Sequence, residues 1–275
     1  VTQKQQMFVI MSGMFSTFFL ILHYLPNDMT FSSALHIAGA NDKMNIVDFS
    51  FDPEQKYTFW SGITGGFFLA LAYFGTDQSQ VGRYLSGKSV RESQMGLIMN
   101  GLLKVPMQFF ILLTGVMVFV FFQFNPVPLN FNPNNKTVIE NSKYKKEYQA
   151  LENKLNALSE DKKVINLLYI DQLNQDYDNP TLRKELVALS NKEKDLRDRA
   201  KDIITKADPD SETNDKDYVF FHFVLNYLPK GLIGLLLAVI LSAAMSSTAS
   251  GLSALASTPA IDIYKRNLKT AKSET

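Results

Sequence analysis

Cysteine is absent from the 275 residues, so no disulfide framework and no thiolate metal site can form. An excess of either charge is missing as well. Lys and Arg number 28 against 27 Asp and Glu, a balance that gives no reason to expect a nucleic-acid partner. An initiating Met is lacking, and the first apolar run is too long and wrongly flanked for a signal peptide. The polar end KRNLKTAKSET carries no closing signal, so the chain reads as a piece of a longer protein.

The most telling scarcity is charge itself, over four stretches. Mean hydropathy is -0.05, an ordinary value for a soluble protein, but it averages two different materials. Residues 7–25, 58–76, 95–124 and 231–257 are almost free of charge and rich in Phe, Leu, Ile, Met and Gly, whereas most charged residues fall in the block 136–217. A hydrocarbon core about 30 Å thick takes about 20 mostly apolar residues to cross as a helix. The expectation is an all-α polytopic membrane protein and not an enzyme. Its expected parts are membrane helices in 1–124 (spans about 5–25, 57–79 and 93–124), an extracytoplasmic insertion at 125–222, a membrane helix at 223–258 and a cytoplasmic loop at 259–275.

Short loops rich in Lys and Arg stay in the cytoplasm. Lys4 precedes the first run, Arg83, Lys88 and Arg91 follow the second, and Lys265, Arg266, Lys269 and Lys272 follow the fourth. Between the first two runs Asp28, Asp42, Asp48, Asp52 and Glu54 outnumber Lys43 and Lys56. Four crossings starting from the cytoplasm satisfy every short loop and leave the charged block outside. That block is itself helical. Tyr144, Tyr148, Leu151, Leu155 and Leu158 recur at helical spacing, as do Leu182, Leu186, Leu189, Leu196, Ala200 and Ile203, with the turn signal DYDNP between them. A helical hairpin standing on the outer face is expected over 136–206. It serves either as a docking site for a protein partner or as an elaboration packed on itself. Asn135-Lys136-Thr137 also fits a glycosylation sequon.

Ionisable or polar side chains inside apolar runs are functional candidates. Lys104 lies some ten residues into the third run, placed either to hydrogen-bond a polar solute or to snorkel toward headgroups, and Pro106 favours a kink beside it. The second run carries Gly62, Gly65, Gly66 and Gly75, and broken helices are how many transporters build their sites. Tyr73 and Phe74, next to Gly75, are placed to stack on a ligand or to join an interfacial aromatic belt. In the fourth run Ala243, Ser246, Ser247 and Ser250 share one helix face. Their oxygens suit sodium, a hard cation, while the same small side chains would also serve close helix packing.

Three passages, YFGTDQSQVGRYLSGKS, LLKVPMQF and SAAMSSTASGLSALASTPAIDIYKR, resemble in content and order the sodium/solute symporter family, most closely its sodium/glucose cotransporter branch. The resemblance implies a LeuT-type inverted-repeat fold, with core helices five to eight in this chain and the hairpin outside the likeness. It implies Na+ as coupling ion, held by the Ala243 carbonyl and the Ser246 and Ser247 hydroxyls, with Ser250 a weaker candidate and the helix bent or slightly unwound there. It places Tyr73 over the solute, Phe74 where a tryptophan is usual, and Lys104 in hydrogen bonding to a sugar. Ala70 stands where sugar carriers have Asn or Thr. Thr2-Gln3 and Ala249 replace the groups of a second sodium site, so one coupled sodium is expected. The implied activity is uptake of a small polar solute, a sugar or sugar-like compound, across a bacterial inner membrane. A symporter-like sensory domain of a signalling receptor is the alternative.

Overall fold

The computed structural model describes residues 2–44, 47–51, 58–85, 89–260 and 264. The loop charges Lys88, Lys265, Arg266, Lys269 and Lys272 therefore lie outside the described residues, as do the side chains of Thr2 and Gln3. The described residues form helices and no strand: α1 (Thr2–Tyr24), α2 (Phe31–Ala40), α3 (Phe59–Leu71) running into a π-helical turn (Ala72–Thr76), α4 (Gln78–Leu85), α5 (Val90–Phe121), α6 (Pro133–Glu140), α7 (Lys145–Leu173), α8 (Pro180–Ala207), α9 (Lys216–Tyr227) and α10 (Lys230–Thr258). Three of these, over Gln6–Tyr24, Val90–Phe121 and Lys230–Thr258, are long and apolar enough to cross a membrane.

The second expected span, 57–79, is not among the three. Its helix gives way after Leu71 to the π turn and ends at Asp77, whose backbone is extended. The fourth, expected over 223–258, is divided at Leu228-Pro229, where α9 stops and α10 begins. Proline has no N–H to offer α9's ladder, and it suits the residue before a new helix. α5 runs on through Pro106 without a break.

The chain forms two compact units. One comprises Met14–Ile46 and Phe110–Ile233 and has a well-buried interior. Here α7 and α8 lie along each other, and α2 and α6 pack on both. Leu129, Ile139, Tyr148, Leu151, Leu155, Ala200, Ile203 and Ile204 close one core cluster. Asn179 caps α8 by accepting from the Thr181 and Leu182 amides at 2.8 and 3.3 Å, with Pro180 at the first helical position. Lys162, almost fully buried, donates to Glu193 at 2.9 Å. Arg197 holds the same carboxylate at 3.0 Å and donates to the Pro128 and Leu129 carbonyls. Burial pushes the Glu193 carboxyl up, but Lys162 and Arg197 outweigh it and hold the group below its usual range. Asn166, wholly buried in α7, has neither amide atom hydrogen-bonded among the described residues. At the end of α5, Phe121 meets Phe223 of α9 edge-on with centroids 5.0 Å apart.

The sequon asparagine is not a surface group. Asn135 is 2% exposed, and its amide donates to Asn130 at 3.0 Å and to the Glu212 carbonyl at 2.9 Å. Its side chain fastens α6 to the segment before α9 and is not presented for modification.

The other unit comprises Val1–Gly13, Val47–Phe109 and Gly234–Thr275. It contains the π turn and most of α10, and its helices bury little: α3 has no buried residue and α10 only Val239. The residues of functional interest lie here.

Candidate functional site

The second apolar run starts with a local capping arrangement. Thr58 accepts from the Ser61 amide at 3.2 Å and Ser61 accepts from the Thr58 amide at 3.0 Å, which satisfies donors left over at the start of α3. At the other end the Ala72 carbonyl takes the Asp77 amide at 2.9 Å, five residues on, and the Thr76 hydroxyl at 3.1 Å. That i→i+5 bond is a π turn, a rare form found often at functional sites. The Asp77 carboxylate then caps α4, accepting from the Ser79 hydroxyl at 2.7 Å and the Ser79 amide at 3.0 Å.

Tyr73 and Phe74 sit in this turn. Their rings meet edge-on at 5.0 Å. The Lys104 ammonium of α5 stands 5.4 Å from the centre of the Tyr73 ring, within the range of a cation–π contact. The structure thus brings together three side chains that lie up to thirty-one positions apart in sequence. The Phe74 ring is 54% exposed and Lys104 is exposed, so this chain leaves the group open.

The second set of candidates lies on α10, which is uninterrupted from Lys230 to Thr258, with no unwinding at Ala243. A carbonyl oxygen has two lone pairs, so an intact ladder bond still leaves one for a cation. Most hydroxyls on this helix are turned back onto it. Thr248 donates to Ala244 O at 2.9 Å, Ser250 to Ser247 O at 3.1 Å, Ser253 to Ala249 O at 2.9 Å and Ser257 to Ala254 O at 3.0 Å. Among the described residues, Ser246 and Ser247 make no such side-chain bond. Ser250 is committed to the ladder, which sets it apart from the pair.

Gln6 is a residue that sequence reasoning passed over. Its amide donates to the Ser242 hydroxyl, next to Ala243 and one helical turn before Ser246. Seven residues on, a Cβ added at Gly13 would come 3.0 Å from Leu236 Cδ2, so the helices approach closely there. Residue 6 meets 242 while 13 meets 236, and α1 and α10 therefore run antiparallel. The signal available in the sequence was the spacing of the last polar residue before the apolar run and the first glycine within it. The two are seven apart and share a helix face.

The model of the sodium:solute symporter family matches residues 206–275. That segment holds α9, α10 and the serine pair, and members of this family are transporters that use sodium as coupling ion. The human sodium/iodide cotransporter is 33% identical over 66 residues, covering 24% of this chain and 10% of its own length. The mouse sodium-coupled monocarboxylate transporter 2 is 36% identical over 70 residues, 26% of this chain and 11% of its own. Its bovine counterpart is 31% identical over 103 residues, 36% and 16%. The chain thus spans about a tenth to a sixth of the length of these relatives. No solved structure matches. Together with the three long apolar helices, the match makes this a multi-pass membrane segment.

Proposed function

We propose that this chain supplies the middle of a sodium-coupled symporter that takes up a small polar solute by alternating access. The observation that carries the reading is the pair of uncommitted hydroxyls on Ser246 and Ser247, one helical turn from the Ala243 carbonyl, inside the segment that matches the symporter family. Sodium prefers oxygen ligands, and a carbonyl with two hydroxyls gives three from one helix face. Tyr73, Phe74 and Lys104 form the solute side. An aromatic face stacks on an apolar or ring surface, while the ammonium supplies three donors to hydroxyls or a carboxylate. A sugar or sugar-like compound is the solute expected from the three sequence passages. A monocarboxylate is its competitor, named in the relatives and equally suited to a cationic lysine.

A LeuT-type arrangement in a bacterial inner membrane completes the proposal, with 125–222 outside and the loops near Arg83 and Lys265 inside. The antiparallel pairing of α1 and α10 fits crossings in opposite directions, and the loop charges set which side is inside. The α7–α8 pair then stands in the extracytoplasmic space, where its outer face is available to a protein partner. Transport is tested by loading the complete protein into sealed vesicles and following radiolabelled glucose and lactate. Uptake of either that rises with an inward sodium gradient and collapses when sodium is equilibrated supports the reading. Uptake indifferent to sodium overturns it.

A further inference from the structure

The end of the π turn and the end of α10 face each other across a cavity of about 490 Å³. Thr76, Gln78 and Ser79 line one wall, and Gly251, Leu255 and Thr258 line the other. A hydrogen bond joins the walls, from the Thr258 hydroxyl to Gln78 Oε1 at 2.6 Å between residues 180 apart in sequence. The same hydroxyl oxygen lies 3.1 Å from the Ala254 carbonyl of its own helix. A hydroxyl has a single proton, so it can serve only one of these acceptors at a time.

That choice gives the contact its character. Breaking a buried hydrogen bond is ordinarily costly because a polar group is left unmet. Here the proton released by Gln78 can turn to Ala254 O, an acceptor it shares with the Ser257 hydroxyl, and the exposed Gln78 amide finds water. Both states are satisfied, which suits a contact that must open and close repeatedly. Its location is equally specific. Gln78 follows Tyr73 by five residues, and Thr258 follows Ser246 by twelve, about 18 Å along an α-helix. The bond therefore ties the solute-side turn to the far end of the sodium-side helix.

We propose that Gln78 and Thr258 form a reversible latch that holds the cytoplasmic end of this cavity closed and opens in each transport cycle. The inference rests on the symporter reading for the cycle, and on hydrogen bonding alone for the latch. The latch residues position the two helices and touch neither sodium nor solute.

This chain has no cysteine, so in the complete protein, with any cysteine outside this chain replaced, Gly251→Cys places a single reporter on a half-buried part of the cavity wall, where a Cβ meets nothing within 4 Å. Inside-out vesicles carrying the complete protein are treated with a membrane-impermeant maleimide in sodium-free buffer. Thr258→Val removes the hydroxyl at nearly constant volume and should speed labelling of the reporter about three- to tenfold, the effect of one neutral hydrogen bond. Thr258→Ser keeps the hydroxyl and should return the rate to that of the parent. Gln78→Met, a second route to the same loss, should behave as Thr258→Val does. Equal labelling in the parent, Thr258→Val and Gln78→Met would sink the latch, even where sodium-driven uptake is intact. Faster labelling with Thr258→Val and rescue by Thr258→Ser sustain it, even in a protein whose uptake ignores sodium; that result would remove the symporter reading alone.

Discussion

The two units of this chain make opposite uses of apolar surface. In the unit built on α7 and α8, Tyr169, Phe121, Phe223, Ile37, Leu155 and Leu186 are less than 2% exposed, and a buried lysine is held by a partly buried carboxylate. In the unit holding the π turn and α10, Phe67, Phe68, Leu69, Leu241, Met245 and Leu255 stand more than half exposed. The first unit satisfies itself. The second presents, in α3 and α10, helices that are apolar on most sides, the condition of a segment covered by lipid or by further helices. The candidate site residues follow the same division. The half-exposed aromatic pair, the lysine above it and the uncommitted serines all belong to the unit that this chain leaves open.

A sharp way to test the contrast is to damage each unit by one side chain. Glu193→Ala leaves Lys162 and Arg197 without their common partner in a buried seam. Removing one member of such a network costs about 3–5 kcal/mol. Amide protection across α7 and α8, followed by hydrogen exchange in the complete protein, should fall by on the order of a hundredfold or more, with the sodium dependence of uptake unmoved. Acid should imitate the change. The folded Glu193 carboxyl titrates below its unfolded counterpart, so its contribution is present above the usual carboxylate range and is lost as pH falls through the depressed value. Protection that survives both treatments would break the claim that this unit is held by its own polar seam.

The corresponding change in the open unit is Lys104→Ala. One hydrogen bond from a charged donor is worth about 1.5–3 kcal/mol, so solute affinity should drop about ten- to a hundredfold. Protection of α7 and α8 should not change. Unaltered affinity would return Lys104 to the role of a snorkelling surface lysine.

Much of this division is legible in the sequence, because lipid-facing helices and charged helices differ in composition as well as in pattern. The apolar runs that became α1, α5 and α10 stand out by length alone. The irregularity of the second run is also readable, since four glycines among aromatics weaken a helix. That it takes the form of a π turn at Ala72 depends on which carbonyl the Asp77 amide chooses, and no residue count specifies that. At Pro106, where a kink is expected, α5 continues past the proline. Pro229, by contrast, separates α9 from α10 inside the single span expected over 223–258. In the candidate site, Ser246 and Ser247 are readable as a face, while their difference from Ser250 is a matter of rotamers and needs coordinates. Gln6 and Thr258 lie hidden for another reason. Each works through a partner 236 or 180 positions away, and a single sequence carries no trace of such pairings.

The central claim is that α10 binds sodium through hydroxyls it has not spent on its own backbone, and Ser247→Ala tests it most directly. The substitution removes one oxygen at little change in volume and leaves the helix ladder intact. Uptake by the complete protein is measured against sodium concentration, at equal surface expression, for the parent, Ser247→Ala and Ser250→Ala. The account predicts that Ser247→Ala moves the half-saturating sodium concentration upward about tenfold or more, as the loss of one ligand to a charged ion requires. Ser250→Ala, whose hydroxyl is tied to the Ser247 carbonyl, should move it far less. Superimposable sodium curves for Ser247→Ala and the parent would contradict the account and leave the serine pair as a packing surface.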